Sequence, residues 1–348
     1  AQLLINRADA VFRLVVVHAP EGKVKRVRSD IDQRTAALLI FVEKHAPGRN
    51  GSAAQRGRSC VIDFAERAGL DLGFGEERGR MLKKLEGFED FFINYGTVDV
   101  EQFESPDFER MVYRSIADGV QKDGMRGLKL WKPIGLGYRD KNGKYLRPDD
   151  DRLGCIFQTA AEFNIPVLFH IADPVAFFSP ADGENERYEE LQNHPDWSFC
   201  SPELYGFHEL MQMQENLLEK NPRTTFIIAH AGSYSENLKK VAQWLDRFPN
   251  MYIDIAARIS ELGRQPYTAR AFLERYCERV FFGTDFSASS EVIHPNYYRF
   301  LETDDEYFNP EGDGAPYGQG RWNIYGVYLS PRALGRIYHE NAQQLFGY

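Results

Sequence analysis

Six short, strongly apolar runs recur through the middle and C-terminal parts of the chain, separated by segments with helical periodicity. They are Phe91 to Val98, Arg126 to Trp131, Ile165 to His170, Thr224 to His230, Met251 to Ile255 and Arg279 to Gly283. Runs that are apolar at nearly every position are typical of strands buried on both faces of a sheet. Because strand and helix patterns alternate, the sequence predicts βα units and a mostly parallel sheet.

Helical patterns fill the intervals between these runs. The clearest follows His230, where Ser233 and Glu236 have the spacing of a capping box and an apolar stripe continues to Pro249. Other candidates are Glu76 to Leu85, Phe108 to Lys122, Asp149 to Phe163, Pro202 to Lys220, Ala269 to Tyr276 and Pro331 to Phe346.

The first 90 residues match this pattern poorly. Arg13 to His18 reads as a strand, Ile31 to His45 as a helix and Cys60 to Phe64 as a further strand. Counting both strands with the six later runs gives eight, the number that a closed (β/α)8 barrel requires. The length of 348 residues suits one large barrel, and no linker divides the chain. We therefore predict a single domain, 1–348, with the α/β fold of a TIM barrel.

Two connections are much longer than the others, at residues 171–201 and 286–329. Both follow the end of a predicted strand, and both are rich in aromatic and charged residues. Connections of this length in a compact domain are usually functional or disordered. Their aromatic content favours function, so we predict two lid loops over the C-terminal face of the barrel.

Composition excludes several classes of protein. The net charge of −9 argues against a general nucleic-acid surface. No apolar run approaches the roughly 20 residues of a membrane-spanning helix. The four cysteines are widely spaced, which indicates neither a disulfide framework nor a thiolate zinc site. We expect a small-molecule substrate and favour the cytoplasm, although the chain begins at Ala1 and export stays open.

Three of the apolar runs finish with an ionisable residue, namely His170, His230 and Asp285. Each taken alone is more often a structural residue than a ligand. In a parallel barrel, however, all strand C-termini open onto one face, so these side chains can converge. Two imidazoles and a carboxylate are ligand types that Zn²⁺ or Mn²⁺ prefers in catalytic sites.

These strand ends, together with the tail Ile337 to Ala342, resemble the amidohydrolase-related (amidohydrolase 2 type) family of the metal-dependent hydrolase superfamily. The resemblance covers roughly residues 90 to 348. It implies a TIM barrel that holds one divalent metal, zinc or manganese, at its C-terminal face. It also implies that His170 is a metal ligand, that His230 is a ligand or polarises the substrate, and that Asp285 is a ligand that shuttles a proton.

The resemblance weakens at the first strand. Family members carry an Asp-x-His-x-His pattern there, and the counterpart in this chain is Val16 to Pro20, in which only His18 matches. Val16 replaces the aspartate, and Pro20, which has no side-chain donor atom, replaces the second histidine. The sequence therefore predicts His18 as a ligand of a site whose affinity is reduced, and a barrel that has lost metal-dependent catalysis stays open as an alternative.

Several cations and one further carboxylate are predicted to bind substrate. Lys129 and Lys132 lie at the end of the second of the six runs. Arg258, Glu261 and Arg264 follow the fifth run, and Arg187 lies in the first long connection. The guanidinium fork of arginine binds carboxylates bidentately, so these residues favour a small anionic or polyhydroxylated substrate. For each of them alone, a salt bridge or a solvated position is the simpler interpretation.

The favoured function is metal-assisted hydrolysis of a small carbonyl compound. Asp285 would accept the proton of the attacking water and return it to the leaving group, and His230 would stabilise the oxyanion. Two alternatives stay open: non-oxidative decarboxylation, which the family also performs, and a binding barrel that lacks a full metal site. Proteins of this family type often dimerise, so homodimerisation is a further expectation.

Overall fold

The computed structural model describes residues 93–285 and 293–347, together with the backbone of two short strands at 38–42 and 60–64. The predicted strand Arg13 to His18 and the predicted helix Glu76 to Leu85 lie outside the described residues. His18 and Pro20 lie outside them as well, and so does the beginning of the second long connection, residues 286–292. None of the described helices has the length and apolarity needed to cross a membrane.

A six-stranded parallel sheet forms the centre of the described structure, with its strands in chain order. The strands are β3 (Tyr95–Gly96), β4 (Gly127–Leu130), β5 (Val167–Phe169), β6 (Phe226–Ile228), β7 (Met251–Asp254) and β8 (Val280–Phe281). Each lies within one of the six apolar runs, which confirms that prediction. Every residue of β4, β5 and β6 is buried, as expected for strands covered on both faces.

The two faces of the sheet belong to different apolar clusters. Leu168 and Ile227, which are paired in register, belong to a small cluster with Tyr95. Val167 and Phe169, their neighbours of opposite parity, belong to the large core that includes the helices. Side chains alternate between faces along a strand, so residues that share the parity of Leu168 lie on the small-cluster face.

Helices follow the strands, and five of the predicted ones are confirmed, although two of them begin five residues later than predicted, at Gly154 and Phe207. The longer ones are Phe108–Asp123, Gly154–Glu162, Phe207–Lys220, Leu238–Arg247, Pro266–Tyr276 and Ile293–Glu302, and the C-terminal segment consists of Pro331–Gly335, a π-turn at Arg336–Glu340 and Asn341–Phe346. The helix Ile293–Glu302 was not predicted and lies within the second long connection. The predicted start of one helix is wrong. Asn237, rather than Ser233, caps Leu238–Arg247, because its side chain accepts a hydrogen bond from the Lys240 N–H at 3.1 Å.

The N-terminal prediction is partly wrong. Residues Leu38–Val42 form strand β1, although Ile31 to His45 was expected to be helical. The predicted strand Cys60–Phe64 exists as β2, but it pairs with β1 in an antiparallel two-stranded sheet and is not a strand of the parallel sheet. A five-residue run of only apolar residues has no periodicity that separates strand from helix. The expected count of eight barrel strands therefore included β2 incorrectly.

The first long connection contains regular structure. It includes the 3-10 turns Val175–Phe178 and Pro195–Trp197 and the helix Tyr188–Asn193. Trp197 stacks between His194 and Phe177, at ring-centroid distances of 4.0 and 6.2 Å. The connection is thus packed by its own aromatic side chains, and its role as a lid stays a prediction.

Phe226, at the start of β6, has no exposed surface and packs against Phe157 at a ring-centroid distance of 5.5 Å. We expect Phe226→Ala to lower the free energy of unfolding by about 3–5 kcal/mol, because it removes a buried ring from a closely packed core. Chemical denaturation measures this change. Tyr267 is 91% exposed and serves as the control, with an expected change within about 0.5 kcal/mol for Tyr267→Ala.

Candidate active site

The three predicted strand-end residues lie together at the carboxyl ends of the sheet. His170 follows β5, His230 follows β6 and Asp285 lies just beyond β8. The rings of His170 and His230 are 4.3 Å apart between centroids, at an interplanar angle of 73°. His230 Nε2 lies 4.0 Å from Asp285 Oδ2. Both histidines are at most 2% exposed.

Two of these residues have left-handed backbone conformations. His230 has φ 60° and ψ 55°, and Asp285 has φ 63°. Residues 231–233 continue the left-handed conformation, so the chain after β6 turns abruptly away from the strand direction. Non-glycine residues with positive φ are uncommon, and they concentrate at functional sites, where the surrounding structure holds them in place.

The hydrogen bonds of His230 fix which ring nitrogen carries its proton. Nδ1 lies 3.0 Å from the carbonyl oxygen of Ala256. A carbonyl only accepts, so Nδ1 carries the proton and donates it. Burial, reinforced by the neighbouring His170 and by the positive charges of Arg258 and Lys129, holds the pKa of His230 well below its ordinary value. The ring is therefore neutral, and Nε2 presents a lone pair towards Asp285.

A buried carboxylate that the sequence prediction missed holds His170. Asp173 Oδ1 lies 3.2 Å from His170 Nε2, and Asp173 Oδ2 lies 2.7 Å from Lys132 Nζ. Burial opposes ionisation of Asp173, but Lys132 and His170 hold its pKa well below the ordinary range. The only signal in the sequence was an aspartate three residues after His170. Lys132, predicted to bind substrate, is thus engaged with a protein carboxylate.

Two further buried cations lie near this group. Lys129 is 4% exposed and pairs in register with Leu168, so it occupies the small-cluster face of the sheet, as His170 does. Arg258 is 5% exposed, and its Nη1 donates to the Ala257 carbonyl oxygen at 2.6 Å. Arg258 forms no ion pair with a carboxylate within the part of the chain that the structure describes. Its remaining donors are therefore suited to an anionic ligand.

The other predicted substrate-binding residues form ion pairs with one another or with neighbouring carboxylates. Arg187 is buried and contacts both Glu261 and Glu190, the latter at 2.8 Å. Arg264 makes a bidentate contact with Glu186, at 2.7 and 3.1 Å. These pairs tie the first long connection to the segment after β7. Substrate binding by Arg187, Glu261 and Arg264 stays a prediction that these contacts do not favour.

The donor atoms present are those a divalent metal prefers, although the described residues hold no preformed group of three or more metal-ligating side chains. His230 Nε2 and Asp285 Oδ2 are 4.0 Å apart, somewhat more than the roughly 3.4 Å that separates two donors bound at a tetrahedral angle with bonds of about 2.1 Å, so a small side-chain movement would bring both onto one ion. The proton on His230 Nδ1, donated to a backbone carbonyl, is also the usual arrangement of a metal-binding histidine. The residues that are described fit such an ion.

Comparison with known proteins identifies the family. The amidohydrolase family model matches residues 102–348, well over half of the chain. The chain belongs to the amidohydrolase family. This confirms the resemblance that the strand ends and the C-terminal tail indicated. A comparison with curated proteins finds no match.

Several solved structures share the fold at low sequence identity. A dihydroxybenzoic acid decarboxylase from Polaromonas sp., with bound manganese and the inhibitor 2-nitroresorcinol, is 14% identical, with coverage of 78% of this chain and 73% of that chain and a TM-score of 0.50. An uncharacterized TIM-barrel protein from Bordetella bronchiseptica is 13% identical (78% and 72% coverage, TM-score 0.47). A 4-oxalomesaconate hydratase from Rhodopseudomonas palustris is 12% identical (80% and 75% coverage, TM-score 0.43). Together with the six parallel strands, the family match and the decarboxylase likeness confirm the predicted α/β fold of the TIM-barrel class.

The low pKa of His230 makes stability depend on pH. In the unfolded chain this imidazole takes up a proton near pH 6.5, whereas in the folded protein it does so only at lower pH. Lowering the pH from 7.5 to 5.5 should therefore destabilise the wild-type protein relative to His230→Gln, by at most about 1.4 kcal/mol per pH unit. Asp254, whose pKa burial raises to about 6, has the opposite effect but is present in both proteins.

Denaturant unfolding of both proteins in the presence of a chelator measures this difference at each pH. Parallel stability curves across that interval would contradict a neutral, desolvated His230.

Proposed function

We propose that this protein is a metal-dependent hydrolase that acts on a small, anionic carbonyl compound. The observation that carries the proposal is the pair of His230 and Asp285, in which a buried, neutral imidazole presents its Nε2 lone pair to a carboxylate 4.0 Å away. The family match supports an enzyme of the amidohydrolase type.

His170, His230 and Asp285 would hold one divalent ion, zinc or manganese, with His18 as a further predicted ligand. A bound divalent ion lowers the pKa of a water molecule and polarises a substrate carbonyl. Asp173 supports this role, because it fixes the orientation of the His170 ring. The decarboxylase from Polaromonas sp., which has a similar fold, contains bound manganese, so we propose manganese as well as zinc.

The chain's own residues supply the proton transfer. Asp285 accepts a proton from the attacking water at a carboxylate oxygen and returns it to the leaving group. The hydrogen bond of His230 to Ala256 favours the ligand role for this histidine, because a neutral ring protonated at Nδ1 has no donor at Nε2 for an oxyanion. Polarisation of the substrate by His230 is accordingly not part of the proposal.

Lys129 and Arg258 would bind the anionic group of the substrate. Both are buried beside His230, where a positive charge has few competing interactions with water. A substrate carboxylate would satisfy the remaining donors of Arg258, which in a buried position otherwise carry a desolvation cost.

Non-oxidative decarboxylation of a small carboxylic acid is the second candidate. The same two buried cations favour it, since they would hold the carboxylate that is lost, and Asp285 would then deliver a proton to carbon. The decarboxylase from Polaromonas sp. shares the fold. The third candidate, a binding barrel without a full metal site, is motivated by Pro20, which replaces an expected ligand.

Metal analysis separates the enzyme candidates from the binding barrel. We expect the purified protein to hold close to one equivalent of zinc or manganese after incubation with the metal, and activity to disappear on chelation and return on addition of either ion. Elemental analysis of the protein after desalting measures the content. Less than a tenth of an equivalent after supplementation would exclude the metalloenzyme.

Asp285→Asn tests the proton transfer. We expect a fall in kcat of about 10² to 10⁴, because the amide cannot accept the proton, with the metal content measured in parallel. A panel of small lactones, amides and hydroxybenzoic acids provides the assay: the hydrolase releases the opened or cleaved acid, and the decarboxylase releases CO2. An unchanged kcat would contradict the role of Asp285 in either reaction.

Arg258→Ala tests the anion clamp. We expect KM to rise by about 10- to 100-fold, which corresponds to the loss of a hydrogen bond between charged groups. Arg258→Lys keeps the charge but loses the fork, so it should recover only part of the affinity. Arg270→Ala, at an exposed arginine, is the matched control. A KM unchanged by Arg258→Ala would contradict the clamp.

A further inference from the structure

A carboxylate behind the site connects the two segments that hold His230. Asp254 is the last residue of β7 and has no exposed surface. Its Oδ1 accepts the backbone N–H of His230 at 2.8 Å and the backbone N–H of Ala256 at 3.0 Å. It does not lie among the residues to which the proposed reaction assigns a chemical step.

These hydrogen bonds form a closed circuit with the imidazole ring. His230 donates its backbone N–H to Asp254, Ala256 donates its backbone N–H to the same oxygen, and the Ala256 carbonyl accepts the Nδ1 proton of His230 at 3.0 Å. Asp254 Oδ1 thus holds the backbone of both His230 and Ala256. The peptide that carries the Ala256 carbonyl is held in addition by the Ala257 N–H, which donates to the Thr284 carbonyl at 3.1 Å.

The circuit acts on a segment with an unusual backbone conformation. His230 begins the run of left-handed residues that continues through Ser233, and non-glycine residues occupy this conformation only when their surroundings impose it. Strand β6 ends at Ile228, and the turn that follows has hydrogen bonds of its own, such as that from the Ser233 N–H to the Ala229 carbonyl at 2.9 Å, whereas the His230 N–H donates to Asp254. The carboxylate of Asp254 therefore supplies a constraint that the strand itself does not.

The second oxygen of Asp254 makes the carboxylate costly to keep at this position. Oδ2 is buried and has no hydrogen-bond partner among the described residues. A buried polar atom without a partner is unfavourable, and natural proteins keep such atoms rarely and usually for a reason. The nearby charges of Lys129 and Arg258 favour the ionised carboxylate and offset part of this cost.

We propose that Asp254 is a positioning residue that holds His230 in its left-handed conformation with the proton on Nδ1, so that the Nε2 lone pair faces Asp285. The consequence for function rests on the ligand role proposed above for His230. The control of the ring tautomer does not, so the two can fail separately.

The test compares Asp254→Asn with Asp254→Ala. Asparagine keeps an oxygen that can accept both N–H groups, whereas alanine removes it. Protein labelled with ¹⁵N at histidine reports the tautomer of each ring by NMR, and the His230→Gln variant assigns the signal. The measurement is made in the presence of a chelator at pH 7.5, so that it does not depend on metal or substrate.

We expect wild type and Asp254→Asn to show the Nδ1–H tautomer of His230, and Asp254→Ala to show a mixture of tautomers. With metal restored, kcat/KM should stay within about threefold of wild type for Asp254→Asn and fall about 10- to 100-fold for Asp254→Ala, as for other residues that orient a metal ligand. An unaltered tautomer in Asp254→Ala would overturn the proposal, whatever the activity.

Circular dichroism and thermal melting show whether Asp254→Ala is folded. If it is not, Asp254→Ser replaces it. The serine side chain is too short for its hydroxyl oxygen to reach both N–H groups, so the same mixture of His230 tautomers is expected. A pure Nδ1–H signal in folded Asp254→Ser would then overturn the proposal. A protein that shows the expected tautomers but binds no metal would leave the positioning intact and reject the proposed function.

Discussion

The cost of burying charge governs the organisation of this protein. At one end of the parallel sheet, ionisable side chains from several elements are withdrawn from water, and each must be neutral or compensated. His230 meets this requirement by staying neutral. Asp173 meets it through Lys132 and His170. Arg258 lies near the carboxylates of Asp254 and Glu190 but forms an ion pair with neither, and its described hydrogen bond is to a single backbone carbonyl. Asp173 already has charged partners within the protein, whereas Arg258 keeps donors with which it can bind a ligand.

The apolar strands and the strand-end residues could be predicted from the sequence because both signals are local. A continuous apolar run indicates a buried strand, and in a parallel sheet the position after it is known to lie at one edge. The same reasoning failed at Leu38–Val42, where a run of five apolar residues indicates burial but not conformation. It also assigned Cys60–Phe64 to the wrong sheet, because pairing partners are not encoded within a strand.

The supporting residues of the site could not be predicted in the same way. Asp254 is an acidic residue within an apolar strand, and its importance depends on two backbone N–H groups, one of them 24 positions earlier in the chain. Arg187 and Glu261 were identified as candidates for the site, but the sequence could not show that they contact each other across 74 positions. The residue type indicates which ion pairs and hydrogen bonds a side chain can form. Only the tertiary contacts determine whether another residue of the protein already occupies it.

The left-handed turn after β6 also limits how this protein can diverge. Residues 230–233 all have positive φ, and a Cβ atom at Gly232 would lie 3.1 Å from Val241 and 3.2 Å from Met251. Few residue types accept such a backbone, and the turn leaves little room for insertions or β-branched side chains. In contrast, Lys129 lies within β4 and His170 directly follows β5, and neither has a positive φ. Related chains should therefore retain the length and the small residues of the segment around His230.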